Sequence, residues 1–171
     1  MSDDELIDRI KSGDEAAAEE LIDRYYAAIL RYCGWHCVNQ DKAEDLTQET
    51  FLKLFRSLPR YKGKNKFESY LYTIANRLCI DESRKMPFYS LEDAAEIADA
   101  KNEIAQVEHR EEIERLLCVL SEVQREAVLL RFGQELGFAE IAEVMGGSWR
   151  TAQSRVRNAL RLMRRECRDE R

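Results

Sequence analysis

The amino-acid sequence predicts an all-α protein made of two small helical domains. Only 2 of its 171 residues are Pro and 7 are Gly, so few positions interrupt a helix. Apolar residues recur with the 3.6-residue period of amphipathic helices along most of the chain, and β-branched runs are rare. Met86-Pro87 breaks this pattern, and an Ala- and acid-rich segment follows. We expect domains over residues 1–86 and 108–171, joined by an acidic linker over 87–107.

The charge distribution suggests one nucleic-acid contact in each domain. The net charge of −6 argues against nucleic acid by itself. Residues 53–85 nevertheless carry 9 basic and 3 acidic side chains, and residues 148–171 carry 8 and 3, whereas residues 86–122 carry 3 and 10. Salt screens charges beyond ~8–10 Å, so the local field decides phosphate binding. Helix faces that are merely solvated would give the same charge distribution. The motifs within the basic segments therefore distinguish DNA binding from simple solvation.

Composition and motifs also indicate where the protein acts and what it lacks. The acidic start MSDDELIDRI lacks the layout of a signal peptide, and no apolar run approaches the ~20 residues that span a membrane. Its 5 Cys are odd in number and unevenly spaced, as expected of reduced thiols. No nucleophile–base pair, phosphate loop or complete metal site is visible. We expect a cytoplasmic protein that is not an enzyme and uses no cofactor or metal.

The first domain is predicted to be one bundle of three or four helices that ends near Lys85, and its first helix is long. Ser12 and Glu15 have the spacing of a capping box, and an apolar stripe continues from there toward Cys37. Asp41 is the expected N-cap of the next helix, which Pro59 ends.

One face of this second helix is polar. Asp45, Gln48 and Glu49 fall at i, i+3 and i+4, so they share that face. Such a patch is usually only solvated, but two carboxylates and an amide can also bind Arg side chains of a partner helix.

Basic and aromatic residues alternate between Pro59 and the middle of the following helix. Lys62, Lys64 and Lys66 supply charge around Gly63, and the rings are Tyr61, Phe67, Tyr70 and Tyr72. A single strand with unstacked bases needs this combination, because stacking contributes ~1–3 kcal/mol per base. Several of the rings, Phe67 among them, are expected in the core instead.

The second domain has the layout of a helix-turn-helix. Ser121 and Gln124 suggest a capping box that opens a helix. A short apolar stripe from Phe138 to Met145 and the turn Gly146-Gly147-Ser148 precede a longer basic helix. A short helix, a Gly-containing turn and a basic helix are typical of duplex DNA binding.

The last helix is predicted to present polar side chains opposite a buried stripe. If Ala152, Val156 and Met163 face inward, the outward face carries residues able to contact bases or phosphates. Gln and Asn can bind adenine and Arg can bind guanine in the major groove. The candidates are Arg150, Thr151, Gln153, Ser154, Arg155, Arg157, Asn158 and Arg161. An Arg-rich helix that is merely exposed is the alternative.

Three of these segments together resemble a known family. AEDLTQETF, FESYLYTIANRLCIDESRK and WRTAQSRVRNALRLMRR occur in this order, and they resemble motifs of sigma-70 family transcription initiation factors of the extracytoplasmic-function group. By this resemblance, residues 1–86 correspond to sigma region 2 and residues 108–171 to region 4, whose last helix reads the promoter −35 element. The protein would then bind core RNA polymerase and promoter DNA.

The resemblance also implies roles for the first domain. The loop after Pro59 and the next helix would capture a flipped base of the −10 element, with a pocket lined by Lys64, Asn65 and Asn76. The whole −10 contact would comprise Tyr61, Lys62, Lys64, Asn65, Lys66, Asn76, Arg77 and Arg84. The positions Asp45, Gln48 and Glu49 match the docking face for the coiled coil of the large polymerase subunit.

The resemblance also implies a protein partner and a place for the linker, and three positions differ from the family's usual residues. Members of the family are commonly held inactive by an anti-sigma protein. Their linker lies in polymerase channels, so the acidic segment 87–107 either mimics nucleic acid or acts as a plain tether. Arg150 stands where a Gly is usual, Asn158 where a basic residue is common, and Tyr70 where a Trp is usual. The first two departures leave the promoter sequence open.

Two other functions are compatible with parts of the sequence. Cys33, His36 and Cys37 could take part in metal or thiol sensing, but a zinc site needs a fourth ligand, and Cys at i and i+4 of an amphipathic helix are usually core residues. The alternative to an initiation factor is a helix-turn-helix regulator whose N-terminal domain senses a thiol or a metal.

Overall fold

The computed structural model describes residues 1–37, 39–85 and 105–169. Within these ranges all regular elements are helical, and they fall into two compact units, one on each side of the gap at 86–104. The all-α fold class with two helical domains is thereby confirmed. Most of the predicted linker, 87–104, lies outside the described residues, and a helix already begins at Ala105.

Four α-helices and a short 3₁₀ turn are found among the described residues of the first unit. They are α1 (Asp3–Lys11), α2 (Glu15–Gly34), α3 (Gln40–Ser57), the 3₁₀ turn Leu58–Arg60, and α4 (Phe67–Lys85). The predicted helix starts were displaced by a few residues. Asp14 caps α2 by accepting from the Ala17 amide, and Asn39 caps α3 by accepting from the Lys42 amide. The first amides of a helix lack a partner within the helix, and the side chains of Asp14 and Asn39 accept hydrogen bonds from them. These two residues therefore determine where α2 and α3 begin.

Aromatic side chains hold the core of this unit together. Tyr32 on α2 meets Tyr72 on α4 edge to face, with ring centroids 5.5 Å apart. Phe67 at the start of α4 packs against Tyr25 at 5.5 Å. Tyr32, Tyr72 and Phe67 are at most 2 % exposed. Burying one such side chain contributes roughly 1.5–3 kcal/mol, so these contacts orient α4 on α2.

The described part of the second unit, 105–169, also contains four α-helices. They are α5 (Ala105–Cys118), α6 (Glu122–Val128), α7 (Phe138–Met145) and α8 (Trp149–Asp169), with a π-helical turn over Leu129–Gly133. The predicted capping box is confirmed, because Ser121 and Gln124 each bind the other's backbone amide. Leu117 in α5 and Leu120, just after its end, are buried, whereas Ile113 is 43 % exposed.

Candidate nucleic-acid interface

The start of α8 is fixed by the turn before it. Gly146 and Gly147 have φ of +78° and +106°, values that side chains other than glycine rarely adopt. Ser148 Oγ then accepts the Thr151 amide at 3.2 Å and shares a hydrogen bond with Thr151 Oγ1 at 3.0 Å. The turn and the cap together set the direction in which the first residues of α8 project.

All eight predicted −35 candidates lie on α8, outside the core. Arg150, Thr151, Ser154, Arg157, Asn158 and Arg161 are exposed, and Gln153 and Arg155 are half-buried. The buried stripe consists of Ala152, Val156 and Ala159, while Met163 is only half-buried. The helix thus has a basic, polar face opposite an apolar one. That face has the donors for both base edges and phosphates.

One exposed aromatic at this site was missed by the sequence reasoning. Trp149, the first residue of α8, is 50 % exposed. The Arg150 guanidinium lies 5.5 Å from its ring centroid, within cation–π range. The sequence signal for this residue was a Trp directly after the Gly-Gly-Ser turn. A ring at the start of a helix has little to pack against in its own domain. It can make apolar contact with a sugar or a thymine methyl group.

The loop 62–66 in the first unit is basic and open to solvent. Lys62, Lys64, Asn65 and Lys66 are exposed, and so are Arg77 and Arg84 on α4. Asn65 has a left-handed φ of +54°, which Asn tolerates better than most residues. The structure therefore leaves six of the eight predicted −10 residues accessible to a polyanion.

The other two predicted −10 residues are buried, which corrects the sequence interpretation. Asn76 is 5 % exposed, and its Nδ2 donates to the Tyr32 hydroxyl at 3.0 Å. It joins α4 to α2 inside the unit and does not line a surface pocket. Tyr61 is 8 % exposed, and its ring centroid lies 4.7 Å from that of Tyr70.

Tyr61 instead supports the loop from beneath. A Cβ atom added to Gly63 would overlap the hydroxyl group and ring of Tyr61. The backbone at Gly63 thus lies directly on the phenol ring, and a side chain there would displace either the ring or the loop. The ring sets the height of the loop above the core.

The polar face of α3 is present and is wider than predicted. Asp45 and Gln48 are exposed and Glu49 is half-buried. Leu52, which follows Asp45 by seven residues and so shares its face, is 51 % exposed. The sequence reasoning missed Leu52. An exposed Leu beside two carboxylates suits a partner helix that presents both Arg and apolar side chains.

The opposite face of α3 is buried with its polar groups satisfied. Thr47 and Thr50 are fully buried, and their hydroxyls donate to the carbonyls of Ala43 and Leu46, both at 2.7 Å. Hydroxyls bonded in this way cost little inside a core. The exposed polar face can therefore be altered without disturbing the packing of α3.

Two of the three cysteines described in the first unit lie in its interior, and Cys37 is half-buried. Cys33 on α2 and Cys79 on α4 are both fully buried, with sulfur atoms 3.8 Å apart. A hydrogen bond from Cys79 lowers the pKa of Cys33, and burial raises the pKa of Cys37 to about 12. Among the residues that the structure describes, no cluster of three or more His, Cys, Asp or Glu could hold a metal. Cys33 and Cys79 are 46 residues apart in the chain, so the sequence pattern did not predict the contact between their thiols.

In the same described ranges, none of the helices combines the length and the apolar character needed to cross a bilayer.

Two family models match this chain, one in each unit. Residues 21–86 match the model described as Sigma-70 region 2, and residues 110–163 match Sigma-70, region 4. The first match includes α3, the loop 62–66 and α4. The second includes the helix-turn-helix and most of α8.

Similar proteins extend the likeness over nearly the whole chain. The chain is 27 % identical to the ECF RNA polymerase sigma factor SigW of Bacillus subtilis, covering 95 % of each. It is 35 % identical to the ECF RNA polymerase sigma factor BldN of Streptomyces coelicolor, covering 93 % of this chain and 65 % of that one.

Solved structures share the fold. CnrH, solved with the cytosolic domain of CnrY, superposes with a TM-score of 0.78 at 18 % identity, covering 97 % of each chain. The sigma factor RpoE, solved with the anti-sigma factor NepR from Bartonella quintana, gives 0.72 at 21 % identity, covering 90 % of this chain and 98 % of that one.

Proposed function

This chain belongs to the extracytoplasmic-function group of the sigma-70 family, and it is a transcription initiation factor that directs RNA polymerase to promoters. We propose that its two domains bind different parts of the polymerase–promoter complex. The domain 1–86 docks on core polymerase and binds the −10 element. The domain 108–171 reads the −35 element, and residues 87–107 connect the two. The observation that carries this proposal is the two-faced helix α8 behind its fixed turn.

In the −35 contact, the early residues of α8 read bases and the later ones bind phosphates. Gln153 and Ser154 lie within the first turns, where recognition helices usually reach base edges. A base contact discriminates by ~1–3 kcal/mol. Arg161 lies two turns further along and supplies charge for a phosphate, an attraction that does not depend on sequence and weakens with salt.

In the −10 contact, the accessible basic residues hold the displaced strand. Lys62, Lys64 and Lys66 supply charge for its backbone, and Asn65 offers an amide to a base. Arg77 and Arg84 extend the basic surface along α4. Tyr61 and Asn76 have a structural part in this contact, because both are buried beneath it.

The polar face of α3 is the proposed docking surface for polymerase. Asp45 and Glu49 bind Arg side chains of the partner, Gln48 adds a hydrogen bond, and Leu52 packs at the edge. Charge-assisted hydrogen bonds are roughly twice as strong as neutral ones, so Asp45 and Glu49 should contribute most to this contact.

The protein acts in the cytoplasm, and it contributes binding and no chemistry of its own. An anti-sigma protein controls it, an idea that draws on the RpoE–NepR and CnrH–CnrY complexes of proteins with this fold.

The docking surface can be tested by replacing it without touching the core. The triple variant Asp45→Ala, Gln48→Ala, Glu49→Ala should bind core polymerase more weakly by roughly tenfold or more, with unfolding unchanged. The double variant Glu19→Ala, Asp23→Ala is a control for the loss of two carboxylates, because it removes two exposed ones from α2. Wild-type affinity of the triple variant, or an equal loss in the control, would contradict the docking assignment.

A further inference from the structure

Helix α1 touches the loop 62–66 close to both of its ends. The Asn65 amide donates to Asp4 Oδ2 at 3.1 Å. The Lys11 ammonium donates to the Tyr61 carbonyl at 2.7 Å and lies 5.9 Å from the centroid of the Tyr61 ring. These partners are 61 and 50 residues apart in the chain. Helix α1 also precedes the segment that matches sigma region 2, which begins at residue 21.

The loop has two features that favour other conformations when nothing holds it. Asn65 adopts φ of +54°, which a residue with a side chain adopts only at some cost. Lys62, Lys64 and Lys66 carry like charges within five residues, and like charges repel. The Asp4 carboxylate offsets both, because it accepts the Asn65 amide and adds one negative charge beside the lysines.

Helix α1 is itself fixed on the unit, so it can act as a rigid support. Leu6 and Ile7 are at most 2 % exposed. Asp3 accepts from Arg24 at 2.7 Å and from the Tyr25 hydroxyl at 2.6 Å, both on α2. A capping box between Ser2 and Glu5 closes the N-terminal turn.

We propose that α1 is a brace that sets the conformation of the loop 62–66, and that Asp4 and Lys11 are positioning residues for single-strand binding. This rests on the proposed role of the loop in the −10 contact. Both side chains act on the loop through its backbone. Losing one of the two hydrogen bonds lowers the fraction of molecules with the loop in its binding conformation, and the apparent affinity falls in proportion.

The size of the effect follows from the strength of one hydrogen bond. A net contribution of the usual size changes an equilibrium by roughly two- to tenfold. Asp4→Ala and Lys11→Met should each weaken binding of a single strand by that factor. Asp4→Asn keeps an acceptor oxygen but loses the charge, so it should restore the part of the loss that comes from the hydrogen bond. Binding to a −35 duplex should not change, because α8 is in the other unit.

The experiment measures the loop and the DNA separately. Single strands are first selected from a random pool by wild-type holoenzyme, and their affinity is then measured for holoenzyme carrying each variant. Hydrogen exchange of residues 62–66 is measured on the free full-length chain. Asp8→Ala is the matched control, since it removes another exposed carboxylate from α1. Thermal unfolding of every variant is recorded alongside.

We expect faster exchange over 62–66 and weaker strand binding for Asp4→Ala and Lys11→Met, and neither change for Asp8→Ala. An equal loss for Asp8→Ala, or no recovery with Asp4→Asn, would overturn the brace. The brace would also be overturned if Lys64→Ala lost strand affinity while Asp4→Ala and Lys11→Met kept it. In that case the proposed −10 role of the loop would still hold. Faster exchange with strand binding unchanged in Asp4→Ala and Lys64→Ala alike would instead overturn the −10 role itself, and with it the positioning role.

Discussion

The two basic surfaces of this protein are built in opposite ways. On α8, the polar face follows from a single helix whose inner side meets one core, so the exposure of each residue follows its position in the 3.6-residue period. The surface at the loop 62–66 depends on contacts from far along the chain, including Tyr61 beneath it and α1 beside it. A regular helix presents its residues by itself, whereas a loop needs neighbours to hold it.

The largest expected effect tests this contrast at adjacent residues of α4. Asn76→Ala should destabilise the protein by ~1–3 kcal/mol, because it leaves the buried Tyr32 hydroxyl without this partner. Arg77→Ala, at an exposed position, should change stability by less than ~0.5 kcal/mol and weaken single-strand binding instead. Denaturant unfolding and strand affinity are measured for both.

A double-mutant cycle with Tyr32→Phe separates this hydrogen bond from other effects of the truncation. If Asn76→Ala left stability intact and reduced strand affinity, Asn76 would be a DNA contact after all. The contrast between the two residues would then collapse.

A smaller effect is expected at the start of α8. Trp149→Ala should weaken duplex binding by about 1 kcal/mol, since the half-exposed ring loses an apolar contact with DNA while its own domain loses little packing. Affinity for a −35 duplex is measured beside thermal unfolding. Phe132→Ala is a matched control, because Phe132 is a similarly exposed ring in the same unit. Equal losses in both variants would show that the ring at 149 has no special role.

The smallest effect concerns an ion pair that holds the end of α4 to α3. Lys42 Nζ lies 3.0 Å from Glu82 Oε1. The hydrogen bond that Lys42 donates lowers the pKa of Glu82 below its usual value. Its contribution is therefore present above the ordinary Glu pKa of about 4.3 and is lost as the pH falls through the lower folded-state pKa. Glu82→Gln should lower stability at pH 7 by ~0–1 kcal/mol.

The pH dependence gives the sharper readout. The difference in unfolding free energy between wild type and Glu82→Gln should shrink as the pH is lowered below about 4. Glu19→Gln controls for the loss of an exposed carboxylate. A difference that grows on acidification would contradict the sign of the pKa shift.

The sequence predicted the features that depend on a few neighbouring residues. The Ser121–Gln124 box and the buried positions Ala152 and Val156 are of this kind. Helix α1 could have been predicted as well, because Ser2 and Glu5 have capping-box spacing and an apolar stripe follows. The predicted helices nevertheless began only at Ser12.

Other features depend on how the helices pack and could not be predicted from periodicity. Helix α4 buries a wide arc, since α2 and α3 both cover it, and Ala75 and Asn76 are buried side by side. A single stripe leaves Asn76 outside that arc. The Cys33–Cys79 contact and the grip of Asp4 on Asn65 join residues far apart in the chain. Only the packed unit brings them together.

The central claim is that α8 reads the −35 element with its first turns and binds phosphates further along. The most direct test is holoenzyme binding to a panel of single-base −35 variants at several salt concentrations. We expect Gln153→Ala to flatten the preference at one base pair by ~1–3 kcal/mol. Arg161→Ala should weaken all variants alike and reduce the salt slope by about one unit. A uniform loss for Gln153→Ala, with the ranking of the variants intact, would contradict the account.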